Sequence, residues 1–330
     1  LKMALAGKMH EERKSKMAGT VTLAKNRAKS KKSRNKMTLA LLSMMLPGFI
    51  YLVINNYIPM AGLVIAFKRF NYSKGIWSSD WCGFSNFTYL FRTKDALNIV
   101  RNTLGYNLTF ILLGNLLAVT VAVMLNFLRG NRSKKVYQTL ILIPYLISMV
   151  VVSYIVYGFL SQDNGFLNSL FVKMGAEKIS WYTETKYWPF ILVIVNLWKG
   201  FGYSSILYYA TVIGIDSSLY EAATVDGANR WKQVWHVTLP GLKGTIITMV
   251  LLAIGRMFYS DFGLFYQVPM RSGLLSSVTD TIDVFVYKGL TQLNDVGRAS
   301  AAGFLQSVLG FVLVLTANFI VRKVDEDSAL

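Results

Sequence analysis

Three charged side chains, Lys199, Arg256 and Asp261, stand inside stretches that are otherwise hydrocarbon. A charge at the centre of a membrane-spanning segment costs at least about 2.5 kcal/mol, so each must face protein or water. Around the first of them the chain reads Asn196-Leu197-Trp198-Lys199-Gly200-Phe201-Gly202-Tyr203. On a helix Lys199 and Tyr203 are four apart and share a face, and Gly200 leaves room for a ligand to approach. Tyr259 follows Arg256 by three residues, whereas Arg256 and Asp261 are five apart and do not stack. Polar groups that hydrogen-bond hydroxyls, interleaved with aromatic faces that cover C–H surface, are what a sugar ring requires. An architectural reading stands beside this one, in which Lys199 and Asp261 neutralise each other or pair with a partner subunit.

A second constellation is the polar island YEAATVDGANRWKQVWHVTLP, running from Tyr220 to Pro240 between two apolar segments. Glu221, Ala222, Ala223 and Val225 suit a short helix, and Gly227 is the residue free to take a positive φ at the turn. Asn229 is placed to cap a second helix, on which Trp231 and Trp235 share a face at i, i+4. Pro240, without an N–H, is expected to end that element. The small side chains of Ala222, Ala223 and Ala228 allow close approach of a partner.

These residues must be positioned by membrane helices. Of the residues, 53% are apolar, 14% aromatic and only 16% charged, where a soluble domain has about a quarter charged. Thr38 to Phe67 is free of charge, too long for the apolar core of a cleaved signal. With about twenty residues per crossing, six spans are expected near 38–67, 102–128, 136–162, 187–215, 244–266 and 299–321. The fold expected is an all-α, polytopic membrane protein. Pro47 and Pro144 fall inside spans, where kinks are tolerated.

The net charge of +18 does not indicate nucleic acid, because of where the charge lies. Twelve of the 35 Lys and Arg residues lie between Lys2 and Lys36, and four more between Arg129 and Lys135, each cluster abutting an apolar segment. Basic residues gather at the cytoplasmic ends of membrane helices. With both termini inside, the inner segments carry 21 basic residues against 12 outside. Residues 1–36 then read as a basic cytoplasmic arm against anionic lipid headgroups, and residues 216–243 as a cytoplasmic loop. Cys82 is the single cysteine, and His10 and His236 stand far apart, which argues against a disulfide, a metal site or a catalytic cluster. The aromatic stretch from Trp77 to Phe91 suits the membrane–water interface.

The chain resembles the permease subunits of ABC importers, and among them the carbohydrate permeases of the maltose type. Glu-Ala-Ala at 221–223, Asp-Gly-Ala at 226–228, Val237 (where that family more often has Ile) and Leu239-Pro240 match the family's ATPase-coupling loop. The stretch Gly83 to Phe87 with Leu90-Phe91, and Arg101-Asn102-Thr103, are similar too. The resemblance implies a coupling hairpin carried by Glu221, Ala222, Ala223, Asp226, Gly227, Trp231 and Trp235. It also implies a sugar cavity lined by the segments holding Asn196, Lys199, Gly200 and Tyr203, and Arg256, Tyr259 and Asp261. Lys199 and Asp261 replace uncharged residues of the neutral-sugar transporter, which points to a charged or larger oligosaccharide. The partners implied are a second, similar permease, two ATP-binding subunits and an extracellular or periplasmic solute-binding protein. No GxxxxGK[ST] phosphate loop is present, so no cofactor is expected on this chain, and ATP and Mg²⁺ belong to the partner subunits. The alternative is a self-sufficient secondary transporter or channel in which Lys199, Arg256 and Asp261 relay protons.

Overall fold

A computed structural model describes residue 38 and residues 41–128 and 130–324. The basic arm expected over residues 1–36 lies outside the described residues. By internal contacts the chain divides into Leu1–Gly62 and Leu63–Leu330. In the first part lies most of α1 (Leu41–Phe67), a helix long and apolar enough to cross a membrane. It widens to a π-turn at Val53–Tyr57, ahead of Pro59.

The second part is helical except for a two-stranded antiparallel ribbon, β1 (Lys68–Arg69) with β2 (Asp80–Trp81). Short α2 (Ser85–Arg92) leads into α3 (Lys94–Phe127). Next come α4 (Asn131–Leu146) and α5 (Met149–Leu160), short α6 (Phe166–Lys173) and α7 (Thr185–Ile213). A hairpin begins with α8 (Ser217–Val225) and continues into α9 (Arg230–Gly255); α10 (Ile282–Thr291) and α11 (Val296–Val324) complete the chain. Among the described residues five helices are long and apolar enough to cross a bilayer singly, and the bent α4–α5 pair is so only when its two helices are taken together.

Helices α3 and α7 form the most extensive pairing. At one end Ala118 and Ala122, both fully buried, let α3 approach Tyr208 and Val212 of α7 and Leu242 of α9. Such small-residue contacts replace the hydrophobic drive that lipid removes. Towards the other end Tyr106, Trp188, Leu192 and Phe265 make a second core. Between α5 and α7, the fully buried Asn168 ties a loop together. Its amide donates to the carbonyls of Gln162 (3.1 Å) and Ile179 (2.9 Å), while its oxygen accepts from Ile179 N–H and the Trp181 indole.

Three expectations are corrected by this architecture. The span over 136–162 is not one kinked helix: α4 and α5 meet at 93°. Pro144 lies in the last turn of α4, and the break at Ile147–Ser148 leaves carbonyls with no helical partner. The span expected over 244–266 starts at Arg230 and stops at Gly255, giving way to turns and a π-turn at Gly263–Gln267. Pro240 does not end the hairpin's second helix. A π-turn at Val234–Thr238, closed by Leu239 N–H to Val234 O, widens the coil just ahead of it. That widening accommodates a proline ring that would clash in a regular α-helix.

Candidate functional site: a cavity beside the broken fifth span

A cavity of about 490 Å³ lies among α3, α7 and the end of α9. Asn107, Phe110, Gly114 and Asn115 line it from α3, and Asn196, Gly200, Ser204 and Tyr208 from α7. Arg256, Tyr259, Ser260 and Asp261 line it from the turns after α9. Of the seven cavity residues expected from sequence, five line this cavity: Asn196 and Gly200 from α7, and Arg256, Tyr259 and Asp261 from the turns after α9. Two do not.

Lys199 and Tyr203 do share a helical face, but it meets the end of α4. The Lys199 ammonium donates to the carbonyls of Ile147 (2.5 Å), Tyr145 (2.9 Å) and Pro144 (3.4 Å). Pro144 O also accepts the Ile147 N–H (3.3 Å), so it is the oxygens of Tyr145 and Ile147, at the α4–α5 break, that the ammonium chiefly serves. Tyr203 stacks on Tyr145 with centroids 4.7 Å apart. Among the described residues no ion pair joins Lys199 to Asp261. Asp261 instead accepts the N–H of Leu264 (3.2 Å), capping the helical turns that follow. Each open carbonyl in a non-aqueous setting costs about 1–3 kcal/mol. Lys199→Met is accordingly expected to lower stability by about 2 kcal/mol or more while leaving apparent substrate affinity within about threefold. Thermal unfolding in detergent, set beside uptake titrations, measures both.

Sequence reasoning did not single out Asn107, Ser204 or Tyr208, and it read Asn115 as a residue that satisfies an interhelical hydrogen bond, which it does here. The Tyr208 hydroxyl donates to Asn115 Oδ1 (2.5 Å) across α3 and α7 at the cavity edge. A signal for the break was present, since Gly255 and Gly263 bracket the polar run from Arg256 to Asp261.

At the far end of α9 the hairpin has the local form its sequence dictates. Asp216 caps α8 by accepting the Ser218 N–H (2.9 Å), and that bond holds its carboxyl below the usual range. Gly227, at φ +74°, makes the turn, and Ala228 N–H closes back on Ala223 O (2.8 Å), the Schellman arrangement. Asn229 then caps the second arm by accepting Lys232 N–H (2.9 Å). Gln233 to Thr224 (2.9 Å) and Tyr220 to Thr238 (3.0 Å) fasten the two arms together. Glu221, Ala222 and Asp226 are exposed and Ala223 half-buried. Val225, Trp231 and Trp235 are 88%, 70% and 66% exposed, and so offer a bare apolar surface. Arg230–Gly255 is one rod of 26 residues, about 39 Å at 1.5 Å per residue, which runs from this surface to the cavity wall.

Spanning helices around a polar cavity, with a stiff hairpin on one rod, are the fittings of a multi-pass transport permease. Residues 114–326 match the family described as binding-protein-dependent transport system inner membrane component. The chain belongs to that family: it is a permease subunit of an ABC importer and not an enzyme. It is 34% identical to Protein LplB of Bacillus subtilis (strain 168), over 86% of this chain and 89% of that protein. It is 32% identical to the polygalacturonan/rhamnogalacturonan transport system permease protein YteP of the same organism, over 86% and 88%. Among solved structures it is similar to a chain of a bacterial ABC transporter involved in the import of the acidic polysaccharide alginate. That match has a TM-score of 0.80 and 30% identity, covering 88% of this chain and 97% of that one. A second structure of the bacterial alginate transporter, in complex with an alginate pentasaccharide-bound periplasmic protein, gives a TM-score of 0.79 at 30% identity over 88% and 96%.

Proposed function

We propose that this permease imports an oligosaccharide bearing carboxylates and forms half of the translocation path with a second, similar subunit. The carrying observation is Arg256, a cation on the cavity wall that no ion pair engages among the described residues. Lys199 is spent on backbone carbonyls, so Arg256 is the cation left to meet an acidic sugar. The amide of Asn196 and the ring of Tyr259 suit hydroxyls and C–H faces. The uronate-rich substrates named for YteP and for the alginate transporter agree in chemistry.

With both termini inside, the hairpin faces the cytoplasm, where two ATP-binding subunits grip Trp231 and Trp235 and pair with Glu221. Those subunits bind ATP and Mg²⁺ and hydrolyse the nucleotide; a solute-binding protein delivers substrate from outside. Closure of the ATPases drives α9 along its axis and turns the cavity from one side of the membrane to the other.

The test is a reconstituted transporter supplied with uronate and neutral oligosaccharides of equal length. Arg256→Gln is expected to raise the apparent KM for the acidic sugar about tenfold, the loss of one charge-assisted hydrogen bond, and to leave the neutral sugar unchanged. Equal effects on both would defeat the acidic reading. Uptake by this chain alone, without ATPase subunits, would instead establish a self-sufficient transporter.

A further inference from the structure

The wall carrying Arg256, Tyr259 and Asp261 is not helical, so its shape is set by whatever holds it from behind. The backbone from Arg256 to Asp261 passes through turns between α9 and the π-turn at Gly263. Asp283, the second residue of α10, reaches this segment from outside the cavity lining. Its carboxylate accepts both the backbone N–H of Ser260 (2.6 Å) and the Ser260 hydroxyl (2.8 Å). A third donor converges on it, the amide of Gln306 from α11, 3.2 and 3.3 Å from the two oxygens. Gln306 is only 4% exposed and also donates to the Phe258 carbonyl (2.8 Å). On the other flank Asn107 donates to the carbonyls of Met257 and Tyr259, both at 2.9 Å.

The chemistry of that convergence specifies a carboxylate. Three donors meeting at one side chain require a group that only accepts, and an ionised carboxylate offers about four acceptor sites where an amide must turn its NH₂ towards one of them. Bonds to a charged acceptor are also about twice as strong as neutral ones, which suits a segment where regular α-helix gives way to turns. Nothing near Asp283 in the chain singles it out, because its partners lie 23 residues away in each direction.

We propose that Asp283 is a positioning residue: through Ser260 it fixes the direction in which the broken fifth span presents Arg256, Tyr259 and Asp261 to the transported molecule. The inference rests on the cavity reading above, and its test has one arm independent of transport. In the complete reconstituted importer, Asp283→Ala raises the apparent KM for acidic oligosaccharide about tenfold, with Vmax per assembled complex within about twofold. Asp283→Asn keeps an oxygen for Ser260 and recovers most of the loss, to within about threefold of the parent. A fall in Vmax at constant KM, or an amide variant as poor as the alanine, overturns the proposal. For the second arm, Cys82→Ser and Tyr259→Cys place one thiol on the wall, and its reaction with a membrane-impermeant maleimide is timed. Asp283→Ala is expected to change that rate about tenfold and Asp283→Asn much less; equal rates in all three overturn the positioning role whatever the uptake assay gives. If Arg256→Gln shifts KM and Asp283→Ala does not, Asp283 alone is misassigned. If neither shifts KM while the labelling rates differ as expected, Asp283 positions the wall and the cavity assignment is the part that fails.

Discussion

Gly227→Pro is expected to abolish ATP-driven uptake while leaving the subunit in the membrane. Gly227 stands at φ +74°, and proline is locked near −65°, so the hairpin cannot keep its turn. The Ala228–Ala223 closure and the Gln233–Thr224 and Tyr220–Thr238 fasteners depend on that turn. Without them the two arms splay, and Glu221 on α8 no longer stands beside Trp231 and Trp235 on α9 as one surface that the ATPases can grip. A lost geometry worth about 3 kcal/mol corresponds to a fall in transport of at least about 100-fold. Glu221→Lys, which leaves the exposed helix surface folded, is expected to do the same through its charge. Uptake into vesicles, normalised to the subunit found in the membrane fraction, reads both. Normal transport in the two variants would sink the lever.

Gly202→Leu is expected to prevent a stable subunit from accumulating. A Cβ at Gly202 would stand 1.8 Å from the carbonyl oxygen of Ile141 and 2.5 Å from its carbon. Both obstacles are backbone, so no rotamer change relieves them, and α7 would have to move off α4. Overpacking of this kind costs about 3 kcal/mol or more, and here it also lifts Lys199 away from the carbonyls it serves. Gly105→Ala is the control, since a Cβ there meets nothing within 4 Å. The amount of monodisperse subunit after detergent extraction, with its thermal midpoint, separates the two; equal yields would mean that α4 and α7 are not tightly apposed.

The legible parts of the sequence were those governed by local rules. Hydrocarbon length marked the crossings, and Gly227 and Asn229 announced the hairpin because turn and cap chemistry is written within three or four residues. Half of the cavity was legible for another reason, as charge in an apolar run must face something polar. What stayed hidden were choices between partners distant in sequence. Nothing around Lys199 says whether its ammonium meets a ligand or the open carbonyls of a helix more than fifty residues earlier. Pro144 announced a kink, but not the right angle between α4 and α5, nor the distant cation that sits against the carbonyls there. Likewise Pro240 reads as a stop unless the π-turn ahead of it is known, and Arg256 to Asp261 reads as helix until Ser260 is seen bonded to Asp283.

The bond between Lys199 and Ile147, 52 residues apart, also has a bearing on how the chain enters the bilayer as it is made. When the third crossing leaves the ribosome, its broken middle exposes amide oxygens for which hydrocarbon has no substitute, at several kcal/mol apiece. The cation that answers them has not yet been synthesised. The third crossing is therefore expected to stay in a wet or proteinaceous setting until the fourth arrives, and the two to partition into lipid together.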